Sequence, residues 1–129
     1  MSREVMQPTR EEMKRRRRHE RYKRRKPFEF KRITRETAIY RSEGRCEDCG
    51  LSTYNDNIKL EAHHIVPIFI ARELELLSAT IIKSLANCQV LCTDCHRDLH
   101  KNKRHKKHFE PHIKKLMRMD TTPMFANIQ

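Results

Sequence analysis

Four of the five cysteines in this chain fall into two pairs, Cys46-Glu-Asp-Cys49-Gly50 and Cys92-Thr-Asp-Cys95, separated by 42 residues. Each C-x-x-C offers two thiolates from one tight knuckle, and two knuckles complete the tetrahedral S₄ set that zinc prefers. Gly50 directly after the first pair removes a side chain where the knuckle turns back. One C-x-x-C alone could be a redox motif. Two, with no thioredoxin-like βαβ pattern around them, point to structural zinc. Disulfides would need an oxidising compartment, and the Met-Ser-Arg-Glu-Val-Met start shows no apolar signal core. The expected placement is therefore cytoplasmic. Cys88 lies in an apolar run and is expected to be a small buried residue, its four-residue spacing from Cys92 fitting a knuckle less well.

A staple is needed because the chain is polar: 129 residues with 36% hydrophobic, no Trp and only two glycines. Such a chain buries little core, and small domains of this kind lean on a metal or disulfides. No stretch free of charged residues exceeds ten residues, too short to span a bilayer. The net charge of +12 is unevenly placed. Residues 1–45 carry 17 Lys+Arg and 7 acids, residues 46–100 carry 4 and 8, and residues 101–129 carry 8 and 2. A mildly acidic, cysteine-bearing centre thus sits between two basic arms, a distribution directed at phosphate.

In the first arm, Thr9 to Glu12 fits a capping box, and Glu12→Arg16 and Glu20→Arg24 place acids four residues ahead of bases. Pro27 stops the pattern, so residues 10–26 are expected to be helical at least when bound, though a solvated, disordered tail fits the free state as well. Residues 34–43 read as a short helix begun by Thr34 and ended by Gly44. From Phe69 to Ala86, Ile70, Leu74, Leu77, Ile81 and Leu85 form one stripe, which predicts an amphipathic helix. Ile58 to Ala62 alternates like a strand, with Cys88 to Leu91 as its possible partner.

The histidines suggest a second, open centre. His63-His64 follows the first strand, and His96 directly follows Cys95 with His100 four residues on. If a helix starts near Thr93 or Asp94, His96 and His100 share one face. The zinc would fix both that helix and the strand carrying His63 and His64, so three imidazoles converge with positions left open, as a catalytic metal requires.

The combination of Cys46-x-x-Cys49-Gly50, Glu61-Ala-His-His-Ile-Val-Pro67 and Asn87-Cys-Gln-Val-Leu-Cys-Thr-Asp-Cys-His96 resembles the HNH endonucleases, over about residues 33–108. It looks like their zinc-ribbon-containing branch. The resemblance implies an α+β fold: a small ββα-metal core stapled by a Cys₄ zinc ribbon, with flanking basic helices. It implies a DNA-contacting arm over 1–32, a nuclease domain over 33–108 and a basic tail over 109–129. By the same resemblance His63 is a metal ligand and His64 the general base. Asn87 orients that base, its side-chain carbonyl accepting the base's other N–H, and His96 is the closing ligand. His100 falls where the colicin-type members supply another histidine. The implied reaction is hydrolysis of a DNA phosphodiester with one divalent metal (Mg²⁺, Mn²⁺, Ni²⁺ or Zn²⁺), as endonuclease or nickase, leaving 5′-phosphate and 3′-hydroxyl ends.

Double-stranded DNA is the expected partner, held by Arg15, Arg16, Arg17, Arg18, Lys23, Arg24 and Arg25 of the first arm. Lys101, Lys103 and Arg104 would hold it on the other side. The chain departs from the family pattern in the 19 residues between Pro67 and Asn87, long for simple members and read as an insertion. No arginine is assigned to the scissile phosphate. His105, His108 and His112 read as phosphate-facing or solvent residues. A non-catalytic zinc-ribbon module for DNA or RNA fits the charge equally well, though not the histidines. A nuclease subunit of a larger packaging, mobility or defence assembly, phage or mobile-element borne, is a third reading.

Overall fold

The computed structural model describes residues 6–102 and 108–120, and among these the fold is α+β. It is built on one antiparallel pair, β1 (Leu60–His64) and β2 (Cys88–Cys92). The register runs Leu60↔Cys92, Glu61↔Leu91, Ala62↔Val90, His63↔Gln89 and His64↔Cys88. The strands therefore have a cysteine end at Leu60/Cys92 and a histidine end at His64/Cys88. Four residues of strand separate the ends, about 13 Å.

The first helix, α1 (Arg10–Arg25), carries the expected Thr9–Glu12 capping box. None of its residues is buried, so it stands in solvent along its whole length. A 3₁₀ turn at Lys26–Phe28 follows, made possible by Pro27 near its start. The next helix, α2 (Arg32–Arg41), has Lys31 as its cap and begins at Arg32, two residues before the expected start at Thr34. The Arg32–Glu36 ion pair at 2.8 Å supports that extra half-turn. Beyond its end, Glu43 and Gly44 both turn left-handed, and Gly44 N–H reaches back to the Ile39 carbonyl.

The single amphipathic helix expected over Phe69–Ala86 is broken. It divides into α3 (Ile68–Leu74), α4 (Ala79–Ile82) and a 3₁₀ turn at Leu85–Asn87. Glu75 ends α3 in the left-handed region (φ 53°) with its N–H on the Ala71 carbonyl. Ser78 then caps α4 by accepting from Ile81 N–H. The stripe survives the break in part, because Ile70, Leu77 and Ile81 are buried in one cluster with Val66, Ala71 and Ile82.

The segment expected as a basic tail instead supplies the other half of that cluster. Helix α6 (Glu110–Met119) buries Ile113 and Leu116, with Phe109 beside them. Each such side chain contributes about 1.5–3 kcal/mol of burial. Ser78 also donates its N–H and hydroxyl to the Asp120 carboxylate, at 2.9 and 3.0 Å, which fastens the end of α6 to the start of α4. Two smaller clusters complete the interior: Phe30, Ala38, Cys88 and Val90, and then Cys46, Leu91 and Cys92. Three small clusters rather than one large core match the low hydrophobic content. No helix among the described residues is long and apolar enough to cross a membrane.

His112 is half-buried on α6, and its Nε2 is buried with no hydrogen-bond partner. It is neither the solvent nor the phosphate-facing residue expected, whereas His108 is exposed and His105 lies outside the described residues. Burial first, and Lys115 second, hold its pKa below the ordinary value, against a hydrogen bond with the Ala86 backbone. The unfolded chain takes this proton near pH 6.5 and the folded one at lower pH, so stability is complete above about 6.5 and declines as pH falls. His112→Leu should flatten the decline of melting temperature that begins as pH falls below about 6.5. Identical profiles for the two proteins would show that this histidine carries none of the acid sensitivity.

Candidate metal centres and cleft

At the cysteine end, Cys46, Cys49, Cys92 and Cys95 bring their sulfurs within 4.8 Å of one another. The first knuckle is closed by Cys46 N–H on Leu51 O and Gly50 N–H on Cys46 O, with Gly50 at φ 79°. The second opens α5 (Thr93–Asn102), and Cys95 N–H points at Cys92 Sγ. Glu47 and Arg41 strap the first knuckle to β2. Glu47 N–H donates to Val90 O at 2.8 Å while its carboxylate accepts from Val90 N–H. Arg41 donates to Cys88 O at 2.8 Å and pairs with Glu47 at 3.6 Å.

The sulfurs fit zinc. Cys49 and Cys92 Sγ are 3.8 Å apart, and a tetrahedron with metal–sulfur bonds of about 2.3 Å has edges of about 3.8 Å. Burial raises the Cys46 pKa, but backbone N–H groups at Cys49, Cys92 and Asp48 outweigh it and bring the thiol down to about 6. Cys95 is pushed the other way, chiefly by its hydrogen bond to Cys92 and then by burial. Four thiols arranged so that one ionises at the expense of another are a set that a cation resolves. Cys88 stands apart from this set, at the other end of β2, and burial pushes its thiol up to about 11.

At the histidine end, His63, His96 and His100 form a second group whose ligating nitrogens also lie within 4.8 Å. The rises explain this. From Leu60 to His63 the strand climbs about 10 Å, and from Thr93 to His100 the helix climbs about 10.5 Å, so both reach one level. The His63 ring lies 4.9 Å from His96 and 5.4 Å from His100, edge-on to both. His96 Nε2 and His100 Nε2 are 3.0 Å apart. Metal–nitrogen bonds of about 2.0–2.1 Å put neighbouring ligand nitrogens roughly 3.0–3.4 Å apart, so the pair fits a shared ion. Glu61 Oε1 is 3.6 Å from His96 Nδ1, the ring nitrogen turned away from this group. A carboxylate there favours the tautomer that leaves Nε2 free to ligate. His63 is buried and His100 exposed, so the centre opens to one side.

The opening is a cleft of about 360 Å³ lined by Arg25, Glu29, Ala62, His63, His64, Pro67, Ile68, Phe69, His96 and His100. His64 stands beside the three-histidine group but does not join it. Its Nε2 meets the Phe28 carbonyl at 2.7 Å, and its ring stacks on Phe30 with centroids 3.9 Å apart and planes 11° from parallel. Burial lowers the His64 pKa, opposed by the Phe28 carbonyl and Glu29 and assisted by Arg25, so the ring is neutral at physiological pH.

Asn87 does not hold His64 as expected. It is fully buried, and its side chain is committed elsewhere: Oδ1 accepts from Val66 N–H at 2.8 Å, and Nδ2 donates to Ile82 O at 2.9 Å and Val66 O at 3.2 Å. It sets the path of the chain leaving β1 rather than the imidazole itself. The partner that sequence reasoning missed is the Phe28–Phe30 segment, outside the 33–108 span expected for the domain. The signal was present as two aromatics flanking Glu29 inside a basic run. Of the residues expected to grip DNA, Arg15, Arg16, Arg17, Arg18, Lys23 and Arg24 lie exposed on α1, and Lys101 is exposed on α5. Arg25 differs in lining the cleft, where it pairs with Glu29 at 3.5 Å. Lys103 and Arg104 lie outside the described residues.

Among characterised proteins, the chain is 37% identical over 76 residues to the type IV methyl-directed restriction enzyme EcoKMcrA of Escherichia coli (strain K12). The match covers 56% of this chain and 24% of that relative, so the chain spans about a quarter of the relative's length. No protein-family model and no solved structure matches the chain.

Proposed function

We propose that this protein is a metal-dependent DNA endonuclease or nickase of the HNH type, with His64 as general base. The observation that carries the reading is the convergence of His63, His96 and His100 on one open point, with His64 held in the same cleft by the Phe28 carbonyl and the Phe30 ring. The similarity to a restriction enzyme supports it independently. A divalent ion on the three imidazoles would supply Lewis-acid stabilisation of the charge that develops on the phosphate.

The remaining work falls to the chain's own groups. Donation from His64 Nε2–H to the Phe28 carbonyl leaves Nδ1 as the nitrogen able to take a proton from water. That water attacks phosphorus and the bond to the 3′-oxygen breaks, the departing 3′-oxygen taking a proton from solvent, which leaves 5′-phosphate and 3′-hydroxyl ends. The exposed arginines of α1 hold the backbone phosphates and steer the duplex, and they carry no base readout.

The test is incubation of purified protein with supercoiled plasmid and Mg²⁺, Mn²⁺ or Ni²⁺, using methylated and unmethylated DNA because the relative is methyl-directed. Metal-dependent nicked circles are expected, together with one tightly held zinc and a second, exchangeable ion that His96→Ala loses. One zinc alone, with no cleavage of any DNA under any metal, would favour a non-catalytic zinc-ribbon module. Such a module is the reading to which the solvated basic helix α1 lends itself equally.

A further inference from the structure

The base is held from outside the strand pair that carries it. Phe28 and Phe30 precede α2, and their rings are anchored in different clusters: Phe28 packs against the Val66–Leu116 cluster, and Phe30 is buried with Ala38, Cys88 and Val90. Cys88 is the β2 partner of His64, so Phe30 lies over that rung of the ladder. Arg35 donates to the Phe30 carbonyl at 3.3 Å and fixes its backbone. Between the two rings the chain is extended at Glu29 (φ −71°, ψ 142°), which faces the cleft.

A neutral imidazole has two tautomers and two ring flips, only some of which present the working nitrogen. Here the stacked ring restricts the flip and the carbonyl selects the tautomer. Asn87 does neither, since its side chain is spent on Val66 and Ile82. We infer that Phe30 and the Phe28 carbonyl are the positioning groups of His64, supplied by the segment that joins the basic helix to the domain. The inference rests on the nuclease reading above for its kinetic consequence, and on geometry alone for its spectroscopic one. On that reading it also couples the arm to the chemistry: α1, the proposed DNA-holding helix, runs through Arg25 and the Lys26–Phe28 turn directly into the groups that hold the base.

Phe30→Leu keeps apolar volume in the cluster and removes the flat face; Phe30→Tyr keeps the face. In the zinc-loaded protein, Phe30→Leu should lower kcat for plasmid nicking about 10- to 100-fold with KM for DNA little changed, and Phe30→Tyr should restore it. The ¹⁵N spectrum of the His64 imidazole should show a fixed Nε2–H tautomer in the wild type and averaging in Phe30→Leu. Unchanged kcat in Phe30→Leu, or a wild-type ring that averages or protonates Nδ1, would overturn the inference. A fixed Nε2–H tautomer in a protein that cleaves no DNA would sustain the positioning and remove the nuclease reading. If Phe30→Leu fails to fold, the wild-type spectrum alone decides.

Discussion

On the proposed nuclease reading, His64→Gln should lose about 10²–10⁴-fold in kcat for plasmid nicking while still binding DNA and zinc as the wild type does. The size follows from what is removed. A positioned general base contributes that range, about 3–5 kcal/mol of barrier. The glutamine retains volume against Phe30 and can still donate to the Phe28 carbonyl, so the comparison isolates the proton acceptor. His64→Ala should show the same kinetic loss with an added loss of stability, because it empties the space beneath the Phe30 ring. Equal nicking by wild type and His64→Gln would remove His64 as the base. A loss of DNA affinity in parallel with kcat would mean that the ring serves binding instead.

With zinc proposed for the four-cysteine group, its removal should unfold the molecule altogether. Structural zinc in small domains contributes apparent free energies of about 10–16 kcal/mol, and whole domains are stable by only about 5–15 kcal/mol. The interior here is three small clusters, one of which includes Cys46 and Cys92 themselves. Cys92→Ser, or a strong chelator, should therefore abolish the cooperative thermal transition along with the zinc. Cys88→Ala is the control: it lies at the far end of β2, outside the four-sulfur group, and should retain full zinc. A cooperative transition surviving in zinc-free Cys92→Ser would show that the apolar clusters suffice.

The elements readable in the sequence are those fixed by neighbours close in the chain. The capping box, the two knuckles, the alternation of each strand and the i,i+4 histidines depend on spacings of two to four residues, and the structure forms each of them. The first strand, though, lies two residues further on than Ile58–Ala62 and so takes in His63 and His64. What escaped depends on distant contacts. The break in the 69–86 stripe turns on Glu75 entering the left-handed region, for which a glutamate gives no warning, although Ser78 is an ordinary N-cap residue. Helix α6 was hidden because Ile113 and Leu116 sit among lysines and arginines, so composition spoke louder than the three-residue spacing. The Phe28 and Phe30 contacts cross more than thirty residues to reach His64, and no local pattern reports such a pairing. Asn87 was legible as a polar residue of consequence, but not for which partners it would spend its three hydrogen bonds on.

The β1–β2 ladder gives its two ends different appetites. Thiolates at one end favour soft, thiophilic ions, and imidazoles at the other accept a broad range of borderline ones. On the proposed reading, the ion that keeps the chain folded and the ion that lets it cut are drawn from separate pools and leave at separate rates. A mild scavenger would strip the more weakly held histidine end first and leave the fold intact. The protein would then persist as a complete but idle molecule, its activity following the supply of a loosely held ion while its lifetime did not.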